Sequence, residues 1–284
     1  MAEPKRTIGI IGAGNMGGVI SGALLSSGIS EPQQVLVSDI SAEKLGSIKA
    51  RYGVDTTGDN PGLFSKCDVV ILSVKPQVIR DVLGEIRDGV AGRHISQRKL
   101  VVSIAAGITT STIESILYRD MDDVQASKIP IIRVMPNTPA LVLSGMSAAC
   151  GNRNTTSEDL EFVNRILRSM GKALAVKENE MDAVTALSGS GPAYVFYLAE
   201  AMVDAGISLG FDPRTAATLT IETIMGAARL LQNRNESPEE LRKQVTSPGG
   251  TTEAAMGVLQ NNRVKHIMIQ AIQAAAQRSK ELSA

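Results

Sequence analysis

The chain has 284 residues, enough for one large domain or two ordinary ones, and its 29 Lys+Arg balance its 29 Asp+Glu. A net charge of zero argues against a nucleic-acid binder that works by bulk electrostatics. Hydrophobic residues make up 43% of the chain, with no tryptophan and 3% aromatics, so aliphatic side chains and Ala/Gly contacts must fill the core.

The N-terminal stretch "MAEPKRTIGII" lacks the apolar segment of a signal peptide, and no apolar run reaches the ~18 residues of a membrane span. A soluble, cytoplasmic protein is expected. "TIGIIG" (7–12) reads as a buried strand, "NMGGVISGALLSSG" (15–28) as a helix, "QVLVSD" (34–39) as a second strand and 41–53 as a second helix with Ser41 at its N-cap. "CDVVILSV" (67–74) and "KLVVSIA" (99–105) are further strands, with a helix over 78–86 between them. "KIPIIRVMP" (128–136) and "SAACGN" (147–152) continue the sheet, and "SEDLEFVNRILRSMG" (157–171) is an amphipathic helix that Gly171 can end. Strand–helix alternation of this kind predicts a mostly parallel, doubly wound sheet covered on both faces. Cys67 and Cys150 lie far apart with no metal-ligand spacing, which argues against a zinc site and for buried, reduced thiols.

The rhythm changes after about residue 177. Residues 180–210 read as helix, interrupted at Gly189-Ser190-Gly191-Pro192. Asp212 caps a helix over 212–232 with Pro213 at its first position, and "SPEELRKQV" (237–245) repeats the pattern with Glu at the capping-box positions. The last helix is expected from about Thr251 to Leu282, with the threonines at its start. The division predicted is a Rossmann-type α/β half, 1–177, followed by an all-α half, 178–284. The helices are rich in Ala, Gly and Met with few charges on several faces, more apolar surface than one small bundle can hide, so an interleaved homodimer is expected.

Two stretches carry the chemistry. Gly12-x-Gly14-x-x-Gly17 follows the first strand and opens a helix, the context a dinucleotide-binding turn requires. Gly12 permits the tight turn, Gly14 the approach of a pyrophosphate, and Gly17 close packing of helix on strand. Asp39 ends the second strand, where a carboxylate can accept the ribose hydroxyls and repel a 2′-phosphate; that leans toward NAD(H), while Ser38 and Lys44 soften the repulsion and leave NADP(H) open. A plain helix cap is the competing reading of Asp39. The turns "LSVKP" (72–76), "SIAAGI" (103–108) and "VMPNTPA" (134–140) close three strands of the same sheet and should converge on one crevice. The second stretch is "VTSPGGTTEAAM" (245–256), which breaks a helical region. Its glycines let backbone come close, and the restarted helix points free N–H groups outward, an anion site made without arginine.

Taken together, "IGIIGAGNMG", "VKP", "SIAAGI", "RVMPNTPA", "LSGSGPAYVF" and "VTSPGGTT" resemble pyrroline-5-carboxylate reductase over nearly the whole chain and in the right order. The resemblance implies reduction of the C=N bond of 1-pyrroline-5-carboxylate by NADPH or NADH to give L-proline, the last step of proline biosynthesis. It also implies a Rossmann domain, a helical dimerisation domain, and assembly of dimers into decamers. Carried over, cofactor contacts fall on Ile11, Gly12, Ala13, Gly14, Asn15 and Met16, on Ser38 and Asp39, on Asn60, on Ser73, Val74, Lys75 and Pro76, and on Ile104, Ala105 and Ala106. Substrate contacts fall on Glu178, Asn137, Ser247, Gly249, Gly250, Thr251 and Thr252, with Thr252 nearest the ring nitrogen and the catalytic candidate. No metal is implied. Two positions depart from the pattern: Asp39 stands where many relatives carry residues suited to NADP, and Gln244 where some carry asparagine. His94 and His266 lie outside the motif loops. A β-hydroxyacid dehydrogenase would need a helical lysine, and 188–211 has none. A dinucleotide sensor would bind cofactor without turnover.

Overall fold

The computed structural model describes residues 6–92 and 94–283. The chain forms two compact units: one runs to Gly189 and takes in the chain from Ala276 onward, and the other is Ser190–Ala275.

The first unit is built on strands that are hydrophobic on both faces, which is why they pair in parallel beneath helices. In chain order come β1 (Ile8–Ile11), α1 (Asn15–Ser26), β2 (Val35–Ser38), α2 (Ala42–Tyr52), β3 (Asp55–Thr57), α3 (Asn60–Lys66) and β4 (Val69–Leu72). Then follow α4 (Ile79–Val90), β5 (Leu100–Ser103), α5 (Thr110–Leu117), α6 (Asp123–Ser127), β6 (Ile131–Met135), β7 (Gly145–Gly151), α7 (Ser157–Arg168) and β8 (Gly171–Ala175). They make one eight-stranded sheet in the order β3-β2-β1-β4-β5-β6-β7-β8. All neighbours are parallel except β6 and β7, so β7 and β8 run against the rest. On one face Ile20, Leu24 and Ile48 of α1 and α2, with Phe162 and Ile166 of α7, pack on Ile8, Ile10 and Val37. On the other, Phe64, Leu83, Ile86 and Ile113 of α3, α4 and α5 pack on Ile11, Val70, Leu72 and Val101. The chain reverses its direction of travel at β1, whose neighbours are β2 and β4. This is the N-terminal Rossmann-type sheet, with its crevice at the carboxyl ends of β1 and β4.

The sequence reading missed short elements. β3 is three polar residues at the sheet edge, too short to show alternation. α3 has Pro61 and Gly62 in its first turn and owes its start to Asp59, whose carboxylate accepts from the Gly62 N–H at 2.8 Å. Gly171 does not end α7, whose C-cap is Ser169; it opens β8, pressed so closely on Gly145 that a Cβ would lie 2.0 Å from the Gly145 carbonyl oxygen. After β8 come α8 (Met181–Val184) and a π-turn over Thr185–Gly189, which runs into the break expected at Gly189-Ser190-Gly191-Pro192.

The second unit is helical. α9 (Gly191–Ser208) and α10 (Pro213–Asn233) pack where Gly206 meets Ala216, a Cβ at Gly206 falling 2.9 Å from that of Ala216. α11 (Pro238–Gln244) carries the expected capping box, with Ser237 and Glu240 exchanging hydrogen bonds. The expected single last helix is two, α12 (Thr251–Asn261) and α13 (Val264–Ser283). The Asn262 side-chain amide donates to the Val258 carbonyl at 2.9 Å and Arg263 takes a left-handed φ of 53°, so the helix ends at Asn262. The unit hides little of its own apolar surface. No residue of α9 is buried, Phe196 and Tyr197 are 66% and 74% exposed, and only Ala216 and Thr220 of α10 are buried. The last residues of α13 belong to the first unit, where Ser279 donates to Asp182 of α8 at 2.7 Å.

Candidate active site

The glycine turn sits at the carboxyl end of β1. Gly12 has φ 110°, its N–H donates to the Ser38 carbonyl at 2.7 Å, and a Cβ would fall 2.6 Å from the Ser73 carbonyl oxygen. Only glycine tolerates both the conformation and the closeness. A Cβ at Gly17 would lie 2.0 Å from the Gly12 oxygen, so α1 is held against the turn itself. Gly14 differs. A Cβ there meets nothing within 4 Å, so the protein's own packing does not require the glycine. Gly14 is also the N-cap of α1 and offers no side-chain cap, so Asn15, Met16 and Gly17 present the free first-turn amides of a helix start. Beside the turn, the buried Ser73 Oγ has no partner among the described residues.

The neighbouring strand ends close the crevice. Ser73 donates its N–H to Ile11 and Ile104 donates to Leu72, which aligns the stretches Ser73–Pro76 and Ile104–Ala106 beside the turn. Lys75 precedes a 3-10 turn begun by Pro76, and Ala105 is buried in the core below. An open helix start, a glycine without an internal reason and an orphaned hydroxyl fit the pyrophosphate and ribose of a dinucleotide.

At the end of β2 the side chains are already committed. Asp39 accepts the Ala13 N–H on Oδ2 and the Ser41 N–H on Oδ1, both at 2.8 Å. It therefore fastens the glycine turn to the β2–α2 bend, while Ser41, not Asp39, caps α2 by accepting from the Lys44 N–H. Ser38 Oγ donates to Asn60 Oδ1 at 2.6 Å, and Asn60 Nδ2 donates to Glu85 Oε2 at 2.8 Å. No sequence motif points to Glu85, which lies on α4, outside every motif loop.

In the second unit, the break after α11 is a turn at Ser247-Pro248-Gly249-Gly250. Gly249 has φ 70°, and the Gly250 N–H returns to the Ser247 carbonyl at 3.0 Å. Neither threonine is the cap of α12: Gly250 is, without a side-chain bond, and Thr251 and Thr252 are the first helical residues. The Gly249 N–H is occupied by the Glu253 carboxylate at 2.7 Å. The amides of Thr251, Thr252 and Glu253 have no partner among the described residues and face outward from the helix start. Thr252 is half-buried and Thr251 exposed.

Comparison with known proteins decides the family. A family model described as pyrroline-5-carboxylate reductase dimerisation matches residues 178–282, and one described as NADP oxidoreductase, coenzyme F420-dependent, matches residues 7–107. The chain is 39% identical to pyrroline-5-carboxylate reductase of Pseudomonas aeruginosa over 100% of its own length and 98% of that protein's. The chain belongs to the pyrroline-5-carboxylate reductase family. Among solved structures, a pyrroline-5-carboxylate reductase from Coxiella burnetii aligns with TM-score 0.86 at 38% identity, over 99% of this chain and 100% of that one. The Plasmodium falciparum enzyme with NADP bound aligns with TM-score 0.84 at 28% identity, over 98% of each chain.

Within this family member, two expected substrate residues are engaged inside the first unit. Glu178 is only partly exposed and is engaged on both oxygens: Oε1 pairs with the buried Arg133 at 2.6 Å, and Oε2 accepts from Thr110 at 3.1 Å and from the Cys150 thiol at 3.2 Å. Burial, and then the neighbouring Glu178 carboxylate, push the Cys150 thiol up to about 12, so it stays protonated and donates. Asn137 donates to the Ser188 carbonyl of the π-turn at 3.1 Å and accepts from the Met146 N–H at 2.8 Å. Each of these side chains stitches the sheet to the stretch that leads into the helical half. Arg133 could have been suspected as a lone arginine in an otherwise apolar strand. His94 meets Gln125 at 2.9 Å near the surface, away from these loops. Among the described residues no cluster of metal-ligating side chains occurs, and no helix is long and apolar enough to cross a membrane.

Proposed function

We propose that this chain reduces 1-pyrroline-5-carboxylate to L-proline, the last step of proline biosynthesis, with NADPH or NADH as the reductant. The observation that carries the reading is the uncapped start of α12 after Gly249 and Gly250, in a family member that also carries an open glycine turn on β1. The bound nicotinamide supplies the hydride to the C=N carbon. The chain supplies the rest. The cofactor-binding residues are those of the glycine turn and the neighbouring strand ends, Ile11 to Met16, Ser38, Asp39, Asn60, Ser73 to Pro76 and Ile104 to Ala106. The Thr251, Thr252 and Glu253 amides hold the substrate carboxylate, and the Thr252 hydroxyl orients the protonated ring nitrogen. A protonated iminium is already electrophilic, so positioning at about 3–3.5 Å accounts for much of the rate and no strong general acid is required. Asn137 and Glu178 act by fixing the route of the chain into the helical half.

The reading extends to a cytoplasmic homodimer with dimers gathered into a decamer, and to a working division into a cofactor half, 1–177, and a dimerisation and substrate half, 178–284. It is supported by the exposed apolar faces of α9 and α10 and by the match of the dimerisation family model. Purified protein should oxidise reduced nicotinamide only when pyrroline-5-carboxylate is added and should show no reverse reaction with 3-hydroxyacids. Cofactor binding without turnover would favour a sensor and end the proposal. Light scattering tests the assembly. Mixing Gly14 and Thr252 variants tests whether their contributions come from different chains, since activity above either parent requires it.

A further inference from the structure

The end of β2 does more than accept a ribose. We infer that this chain selects the dinucleotide with a free 2′-hydroxyl, NADH over NADPH, through Asp39, with Ile40 and the Asn60–Glu85 pair as further determinants. The inference rests on the cofactor reading above and narrows it.

A carboxylate in the position of Asp39 lies beside the adenosine ribose in this type of sheet. In other settings such a side chain can rotate away from an incoming phosphate. Here it cannot do so freely, because both oxygens are held by backbone amides, Ala13 on one side and Ser41 on the other. Turning it out would release the glycine turn that binds the pyrophosphate. The charge is therefore fixed where a 2′-phosphate would stand, and like charges held close together repel.

The next residue sharpens the choice. NADP-binding sheets of this type place an arginine nearby to pair with the phosphate. Ile40 is 103% exposed, as open as a side chain can be, and offers only hydrocarbon at that point. A second carboxylate stands behind the same strand end: Glu85 accepts from Asn60, whose carbonyl oxygen accepts from Ser38. The cation in the first turn of α2, Lys44, lines the groove between α1 and α2 with Arg51 and Tyr52, next to the carboxylate-bearing Glu43. Asp39 and Glu85 thus stand at the strand end itself, while the cations Lys44 and Arg51 lie along the adjoining groove beside Glu43.

Isothermal titration of the full-length protein with NADH and with NADPH tests this directly, without turnover. NADH should bind about tenfold or more tightly than NADPH. Equal binding, or tighter NADPH, overturns the inference and leaves the reductase reading intact. If neither dinucleotide binds, the cofactor reading falls and this one with it. Ile40→Arg, a surface change that leaves the fold alone, should raise NADPH affinity by about tenfold while NADH changes less than about twofold. No gain for NADPH overturns the role of Ile40. Asp39→Asn should weaken both dinucleotides, because the turn loses an anchor. Glu85→Gln keeps the bond to Asn60 and should narrow the gap between them. Selective loss of NADPH binding in Lys44→Ala would show a phosphate clamp at that lysine and overturn the proposal.

Discussion

Two helix starts of this chain that lack a side-chain cap, those of α1 and α12, are built by opposite means. The start of α1 rises from a fully buried strand; its turn is tied to the end of β2 by the Gly12 N–H and by Asp39, and the loop after β4 is tied to β1 by the Ser73 N–H on the Ile11 carbonyl. The start of α12 follows a short exposed turn in a unit whose helices bury almost nothing of their own. The first is rigid because the rest of one chain over-determines it. The second has its local geometry from Gly249 and Glu253, among helices whose apolar faces are exposed. The α1 start should therefore respond to substitution through the fold, and the α12 start, in the role proposed for it, through function.

The largest effect expected is at the rigid end. Gly17→Ala puts a Cβ against backbone that cannot give, and should cost about 3 kcal/mol of stability and abolish dinucleotide binding, read by thermal melting and titration together. A melting point unchanged from the parent would break the contrast. Thr252→Ala should leave the melting point unchanged and lower kcat/KM by about 10- to 100-fold, the worth of a hydrogen bond to a charged group at about 1.5–3 kcal/mol. Arg133→Met removes the buried partner of Glu178; because Glu178 is 36% exposed, the loss should be about 2 kcal/mol rather than the full cost of a buried orphan charge, measured from the urea midpoint. Glu178→Gln in the same background should add little.

The smallest effect concerns pH. Burial alone pushes the Asp159 carboxyl up, but hydrogen bonds from Arg98 at 2.5 Å and from Thr156 outweigh it and hold it below its ordinary value. A depressed folded value means the stabilisation is complete above the unfolded value of about 4 and fades as the pH falls through the folded one. Asp159→Asn should thus flatten part of the stability loss as the pH falls below about 4, seen in urea melts at a series of pH values, and change nothing near the α12 start.

Much of this was legible in the chain itself. The long apolar strands and the capped helices at Ser41, Asp212 and Ser237 announced themselves because hydrophobic period and cap chemistry agree there. β3 and β8 did not, since three to five residues at a sheet edge carry too little pattern and Gly171 reads equally as a stop or a start, nor did the seven-residue α3 with Pro61 and Gly62 in its first turn. The two-helix ending was hidden because the chain leaves the helix at Asn262 with a side-chain bond and a left-handed Arg263, which spacing does not reveal. At the site, the motif loops were visible, but partners contributed by other elements were not. Arg133 for Glu178, Ser188 for Asn137, Glu85 for Asn60 and Ala13 for Asp39 are pairings that only the assembled sheet creates.

The empty space facing Gly14 has a consequence of its own. Because an added methyl would touch no protein atom, alanine at this position is a change felt only by an incoming guest. Few positions in an enzyme separate the architecture from its use so cleanly. A protein carrying that one methyl should assemble, melt and crystallise like its parent, and so can serve as an inert half in any experiment where one subunit must be silenced without being deformed.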